Sequence, residues 1–128
     1  MDQELFDKGM EIRRDVLGDE YVDRALAQMN GFNRPLQEMV TQYCWGALWG
    51  REGFSKRDRS VVNLAIIATL NRSHELKAHV KGAINNGLSK DEIAEILLQV
   101  GVYAGIPAAV DSFRTANEAF AELDAAKK

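Results

Sequence analysis

Both histidines of this 128-residue chain fall in one stretch, NRSHELKAHVKGAINNG, residues 71–87. Read as a helix starting near Ser73, the stretch sets Arg72, Glu75, His79, Gly82 and Asn86 at steps of three and four along one stripe. A cation, a carboxylate, an imidazole and an amide then share a single column. Gly82 takes a side chain out of that column and leaves room beside the backbone. Leu76, Val80, Ala83 and Ile84 form an apolar run on the adjoining face, so the column borders a core. A Glu and a His four apart on a helix can hydrogen-bond, which fixes the imidazole tautomer and raises its proton affinity. Such a pair can deliver a proton. An ordinary surface pair beside a core has the same spacing, and spacing alone leaves both readings open. Metal binding is not expected, because HELKAH lacks the second histidine of the HExxH pattern and His74 and His79, five apart, point in different directions on a helix.

A second group precedes the column. Trp45 and Trp49 are four apart and lead into Gly50, Arg51, Glu52 and Gly53. The tryptophans are either a core pair ahead of a turn, or one indole lines a pocket in which Arg51 offers its fixed fork of donors to a carboxylate. Arg51, Lys56, Arg57, Arg59, Arg72, Lys77 and Lys81 all lie within residues 51–81 of a chain with net charge −3. Solvated faces account for most such residues. Beside an acid/base pair, a local surplus of cations favours a small multivalent anion as ligand.

The elements that must position these residues are helical throughout. Asp2 can cap a first helix that carries Leu5, Phe6, Met10, Ile12, Val16 and Leu17 and stops at Gly18. A second covers Glu20 to Met29, before Asn30 and Gly31. Asn33 and Pro35 restart a third, which runs to about Leu48. Residues 61–70, VVNLAIIATL, are apolar almost all round and predict a helix buried on every side, following a weak capping box at Ser55 and Asp58. The column helix closes at Asn86 and Gly87. Ser89 and Glu92 form a full capping box ahead of Ile93, Ile96, Leu97 and Val100. A last helix starts at Pro107, buries Val110, Phe113, Phe120 and Leu123, and ends in a frayed AAKK tail. The expected fold is therefore a single all-α domain over residues 1–128, a bundle of six or seven helices.

Composition narrows the function. A pI near 5.4 argues against a sequence-independent grip on nucleic acid. The longest apolar run is far shorter than the roughly 20 residues that span a bilayer, and the acidic N-terminus has no signal-peptide pattern. A cytoplasmic protein without nucleic-acid or membrane partners is expected. Cys44 is the lone cysteine, which rules out an intrachain disulfide and reads as a small buried hydrophobe.

Four spaced elements, WxxxWxRxG from Trp45, NRxxELxxHxxGAxxNG from Asn71, DEIxEILLQ from Asp91 and YxGxP from Tyr103, together resemble the carboxymuconolactone decarboxylase family over about residues 35–120. The resemblance implies an alkylhydroperoxidase-like helical fold, assembly into homo-oligomers of three or six subunits, and cofactor-free decarboxylation. The substrate it implies is a small dianionic lactone, 4-carboxymuconolactone, converted to 3-oxoadipate enol-lactone and carbon dioxide in protocatechuate degradation. His79 oriented by Glu75 would protonate carbon, Arg72 would hold a carboxylate or steady the enolate, and Arg51 with Trp45 or Trp49 would close the pocket; in a shared pocket, Arg51 or Trp49 would come from a neighbouring chain. Thiol reductases of the same superfamily carry CxxCxxxH on the equivalent helix. Aligning that histidine on His79 puts Arg72 and Glu75 where the cysteines would be, so thiol peroxidase activity is not expected. Besides that disfavoured thiol-reductase reading, two rivals remain: a decarboxylase or isomerase of a related lactone or 3-oxo acid, and a non-catalytic helical assembly domain needing none of the trio.

Overall fold

The computed structural model describes residues 1–127, and every regular element among them is helical. In chain order these are α1 (Gln3–Leu17), α2 (Asp19–Ala27), α3 (Arg34–Met39) running directly into a π-helical stretch (Val40–Leu48), α4 (Lys56–Thr69), α5 (Ser73–Asn85), α6 (Lys90–Ala104) and α7 (Ile106–Ala126). The backbone forms two compact units, Met1–Lys56 and a second from Arg57 onward.

In the first unit the Asp2 side chain accepts from Leu5 N, and Gly18, at φ 89°, releases the chain from α1. That left-handed φ costs any residue with a Cβ, hence the glycine. α1 lies against the π-helical stretch at very short range. A Cβ on Gly9 would sit 1.9 Å from the Thr41 carbonyl oxygen, and one on Gly46 would sit 2.6 Å from that of Leu5. Trp45 and Trp49 are buried beside Val16, with ring centroids 5.0 Å apart and planes tilted by 32°, and Ile12, Leu17 and Val40 pack around them. The core-pair reading of the tryptophans is the one the fold adopts. The π register is carried by bonds such as Trp49 N to Cys44 O at 3.0 Å, five residues back. Cys44 is exposed, contrary to the sequence expectation, because the side of this stretch that meets α1 is supplied by Thr41, Gln42, Trp45 and Gly46.

In the second unit α5 and α6 each pack on α7. Leu64, Leu76, Val80, Ala83, Ile93 and Leu97 form the centre of its core. The Ser89–Glu92 capping box is present in full, and the second carboxylate oxygen of Glu92 pairs with Arg57 at the start of α4. Two expectations fail here. α4 buries only Ser60, Leu64 and Ala68, leaving Val62, Ile66 and Leu70 42%, 50% and 55% exposed. One protomer supplies α4 with partners for a single stripe. α7 buries the small residues Ala108, Ala109, Ser112, Thr115, Ala116 and Ala119 instead of Val110, which is exposed, with Phe113 and Phe120 packed at the margin. Small side chains at these positions let α7 approach its neighbours closely. The expected frayed tail is helical through Ala126, and Lys128 lies outside the described residues.

Candidate active site

The column begins where the chain leaves α4. Asn71 adopts φ 58°, alone among the described non-glycine residues, a conformation that asparagine tolerates better than most. Arg72 follows as the residue preceding α5, with its carbonyl accepting from Leu76 N at 2.9 Å and its side chain in solvent. Glu75 sits in the first turn of α5, where a carboxylate suits the positive end of the helix dipole. His79 lies one turn further on and is half-buried between buried Ala78 and Val80. Gly82 is buried, and Asn86 donates from Nδ2 to the Oγ of buried Ser60 at 2.9 Å. The column thus runs from solvent at Arg72 into the core at Gly82, and the expected apolar neighbours Leu76, Val80 and Ala83 are all buried.

Burial lowers the His79 pKa to about 4, with the charge of Glu75 opposing the shift only in part. The carboxylate was expected to raise proton affinity; it does act in that direction, but loss of solvation is the larger effect. The free protein therefore holds a neutral imidazole at pH 7. An anion brought next to it would favour the imidazolium.

The basic residues divide sharply. Lys77 bonds Glu118 at 3.2 Å and Glu122 at 2.9 Å, Lys81 bonds Glu122 at 3.0 Å, Arg57 pairs with Glu92 and Lys56 with Asp15. Those four cations are already compensated. Among the described residues, neither Arg72 nor Arg51 enters an ion pair; Arg51 is exposed in the turn after the π-helical stretch, with its N–H donating to Leu48 O at 3.1 Å. Arg72 at the N-cap of α5, and Glu75 and His79 on α5, follow one another in the second unit, whereas Arg51, Trp45 and Trp49 belong to the first.

The larger concavity of the first unit, about 560 Å³ and lined by Glu11, Ile12, Arg14, Asp15, Asp19 and Lys56, is crossed by the Arg14–Asp19 and Lys56–Asp15 pairs. It contains no histidine, and both of its cations are already paired. Chemistry rather than volume therefore locates the candidate site on α5. No cluster of three or more His, Cys, Asp or Glu with metal-binding geometry occurs among the described residues. Sequence reasoning missed buried Arg13. Its signal was an arginine on the Gly9, Arg13, Val16 stripe of α1, in the middle of the buried face.

Residues 34–118 match the model of the carboxymuconolactone decarboxylase family. The chain is 37% identical over 122 residues to the 4-carboxymuconolactone decarboxylase of Acinetobacter baylyi, covering 95% of this chain and 91% of that one. It is 43% identical over 108 residues to the nitrosuccinic acid decarboxylase of Metarhizium robertsii, covering 84% and 76%. A Pseudomonas putida 4-carboxymuconolactone decarboxylase is 47% identical over 45 residues, 35% of this chain and 94% of that sequence. With helical architecture, motif spacing and these matches in agreement, the chain belongs to the carboxymuconolactone decarboxylase family and is a carboxy-lyase.

Proposed function

We propose that the protein decarboxylates 4-carboxymuconolactone to 3-oxoadipate enol-lactone without a cofactor, using Arg72, Glu75 and His79. The observation that carries this reading is the 37% identity to a decarboxylase of that name across nearly the whole of both chains. The departing carboxylate is attached to the ring carbon that bears the ring oxygen. When the bond to it breaks, its electrons pass through the ring double bond onto the lactone carbonyl, and a proton then adds to the carbon next to that carbonyl. Such a reaction needs a cation for the carboxylates, a donor to the developing oxyanion and an acid. Arg72 is exposed and enters no ion pair among the described residues, so it can meet an anion. His79 is neutral in the free protein and gains proton affinity as the dianion arrives. Proton uptake is thereby coupled to substrate binding.

The matching fungal sequence favours a second reading, in which the substrate is nitrosuccinate. Loss of carbon dioxide from the carbon bearing the nitro group places the electrons on nitro oxygens, so the demands for cation, oxyanion donor and acid are unchanged. The assembly is read as a cytoplasmic homo-oligomer of three or six subunits, supported by the uncovered Val62, Ile66 and Leu70 stripe of α4. Turnover of each acid by purified protein and by His79→Ala, with carbon dioxide quantified, tests the proposal. Metal-independent turnover of the lactone, lost in the variant, supports it; turnover of nitrosuccinate alone transfers the assignment to the second substrate, and turnover of neither removes both.

A further inference from the structure

Arg13 is 5% exposed, yet no carboxylate neutralises it among the described residues. Its Nη1 donates to Gln37 Oε1 at 2.9 Å and to Thr41 Oγ1 at 3.4 Å, both neutral acceptors, and its Nε finds no acceptor. A buried cation held only by neutral groups has lost its solvation without gaining a counter-ion.

Gln37 and Thr41 line a cleft of about 180 Å³ in the first unit, together with Phe6, Leu26, Met29 and Arg34. The hydrogen bonds from Arg13 decide what this cleft presents. With Gln37 Oε1 occupied, the amide NH₂ is the group left for a ligand. Arg34 adds an exposed guanidinium at the edge. Glu38 also borders the cleft, so Arg34 and Glu38 balance in its lining, and the uncompensated charge is that of Arg13, which reaches the lining through its bonds to Gln37 and Thr41. A lining that combines the Gln37 amide and Arg34 with Phe6, Leu26 and Met29 suits an acceptor group on a small apolar body. The volume lies below the roughly 300–1,000 Å³ of drug-sized pockets, which favours a small acid over a peptide.

We infer that the cleft of the first unit binds a small organic monocarboxylate, its charge compensating buried Arg13 through the Gln37 amide and Arg34. The site is lined from α1, α2, α3 and the start of the π-helical stretch and shares no residue with the α5 column. It stands independently of the proposed reaction.

Benzoate is a suitable probe, with benzamide as the neutral control, followed by NMR at the Arg13 Nε–H and the Gln37 side-chain amide. Saturable shifts at both groups with benzoate are expected, together with at least tenfold weaker binding in Gln37→Leu and in Arg34→Ala and unchanged binding in Arg72→Ala. Both substituted side chains are less buried than Arg13, and circular dichroism confirms that the variants fold. Absence of saturable shifts, equal binding of benzamide, or binding lost only in Arg72→Ala would overturn the inference. So would loss of self-association in Gln37→Leu without benzoate binding, which would make the cleft a contact between copies.

Discussion

Asn86, the last polar member of the α5 column, donates from Nδ2 to the hydroxyl of Ser60 on α4 at 2.9 Å. That bond ties the lower end of the column to the neighbouring helix, and Ser60 is 1% exposed. Asn86→Ala leaves a buried hydroxyl without this partner, at a cost of about 1–3 kcal/mol. Urea denaturation should show that loss while kcat stays within about twofold of wild type. A much larger fall in kcat at full folding would place Asn86 among the reacting groups.

His79 links folding to pH. Its pKa of about 4 lies below the ordinary 6.5, so the unfolded chain binds more protons between those values. Stability from this residue is present in full above pH 6.5 and is lost as pH falls towards 4. The full loss is on the order of 3 kcal/mol at about 1.4 kcal/mol per pH unit. Chemical denaturation between pH 4 and 7 should show a slope that His79→Phe flattens. NMR titration should place the imidazole midpoint near 4 in the free protein and higher with a dicarboxylate bound; an unshifted midpoint near 6.5 would remove the solvation argument.

The proposed roles separate kinetically. His79→Ala should lower kcat by about 10²–10⁴-fold if it supplies the proton. Glu75→Gln should lower kcat less and move the pH profile, since it acts through the imidazole. Arg72→Ala should raise KM if it only anchors a carboxylate, and lower kcat if it meets charge formed in the transition state. Near wild-type turnover in all three would return the α5 column to a structural role.

Gly9 meets the π-helical stretch where no side chain fits, since its Cβ would fall 1.9 Å from Thr41 O, a backbone atom. Gly9→Ala should cost about 3 kcal/mol or more through overpacking. Gly31→Ala, where nothing lies within 4 Å, is the control. It should change stability by less than about 0.5 kcal/mol, and equal effects at both positions would contradict the close approach.

The α4 stripe offers a direct test of assembly. Ile66→Glu places a charge in the middle of Val62, Ile66 and Leu70, at a position 50% exposed in one chain. The protomer should keep its helical content, whereas light scattering should report a smaller particle than wild type. An unchanged mass would put the interface elsewhere.

Local signals were legible in the sequence because they act over a few residues. Asp2, Gly18, Pro35, the Ser89–Glu92 box and Asn86–Gly87 mark helix ends through backbone bonds they make or free, and the structure keeps all of these boundaries within a residue or two. The spacing of Arg72, Glu75 and His79 likewise needed only a helical period. Tertiary structure decided what those residues experience. Lys77 and Lys81 looked available to an anion until α7 brought Glu118 and Glu122 against them. VVNLAIIATL read as buried on every side, but burial depends on how many neighbours a helix finds, and α4 finds them along one stripe. Glu75 predicts a more basic imidazole by proximity along the chain; the protein around His79 removes water from it and reverses the sign. Buried charge, exposed Cys44 and the neutral state of His79 are set by residues distant in sequence, through desolvation and packing that no local pattern encodes.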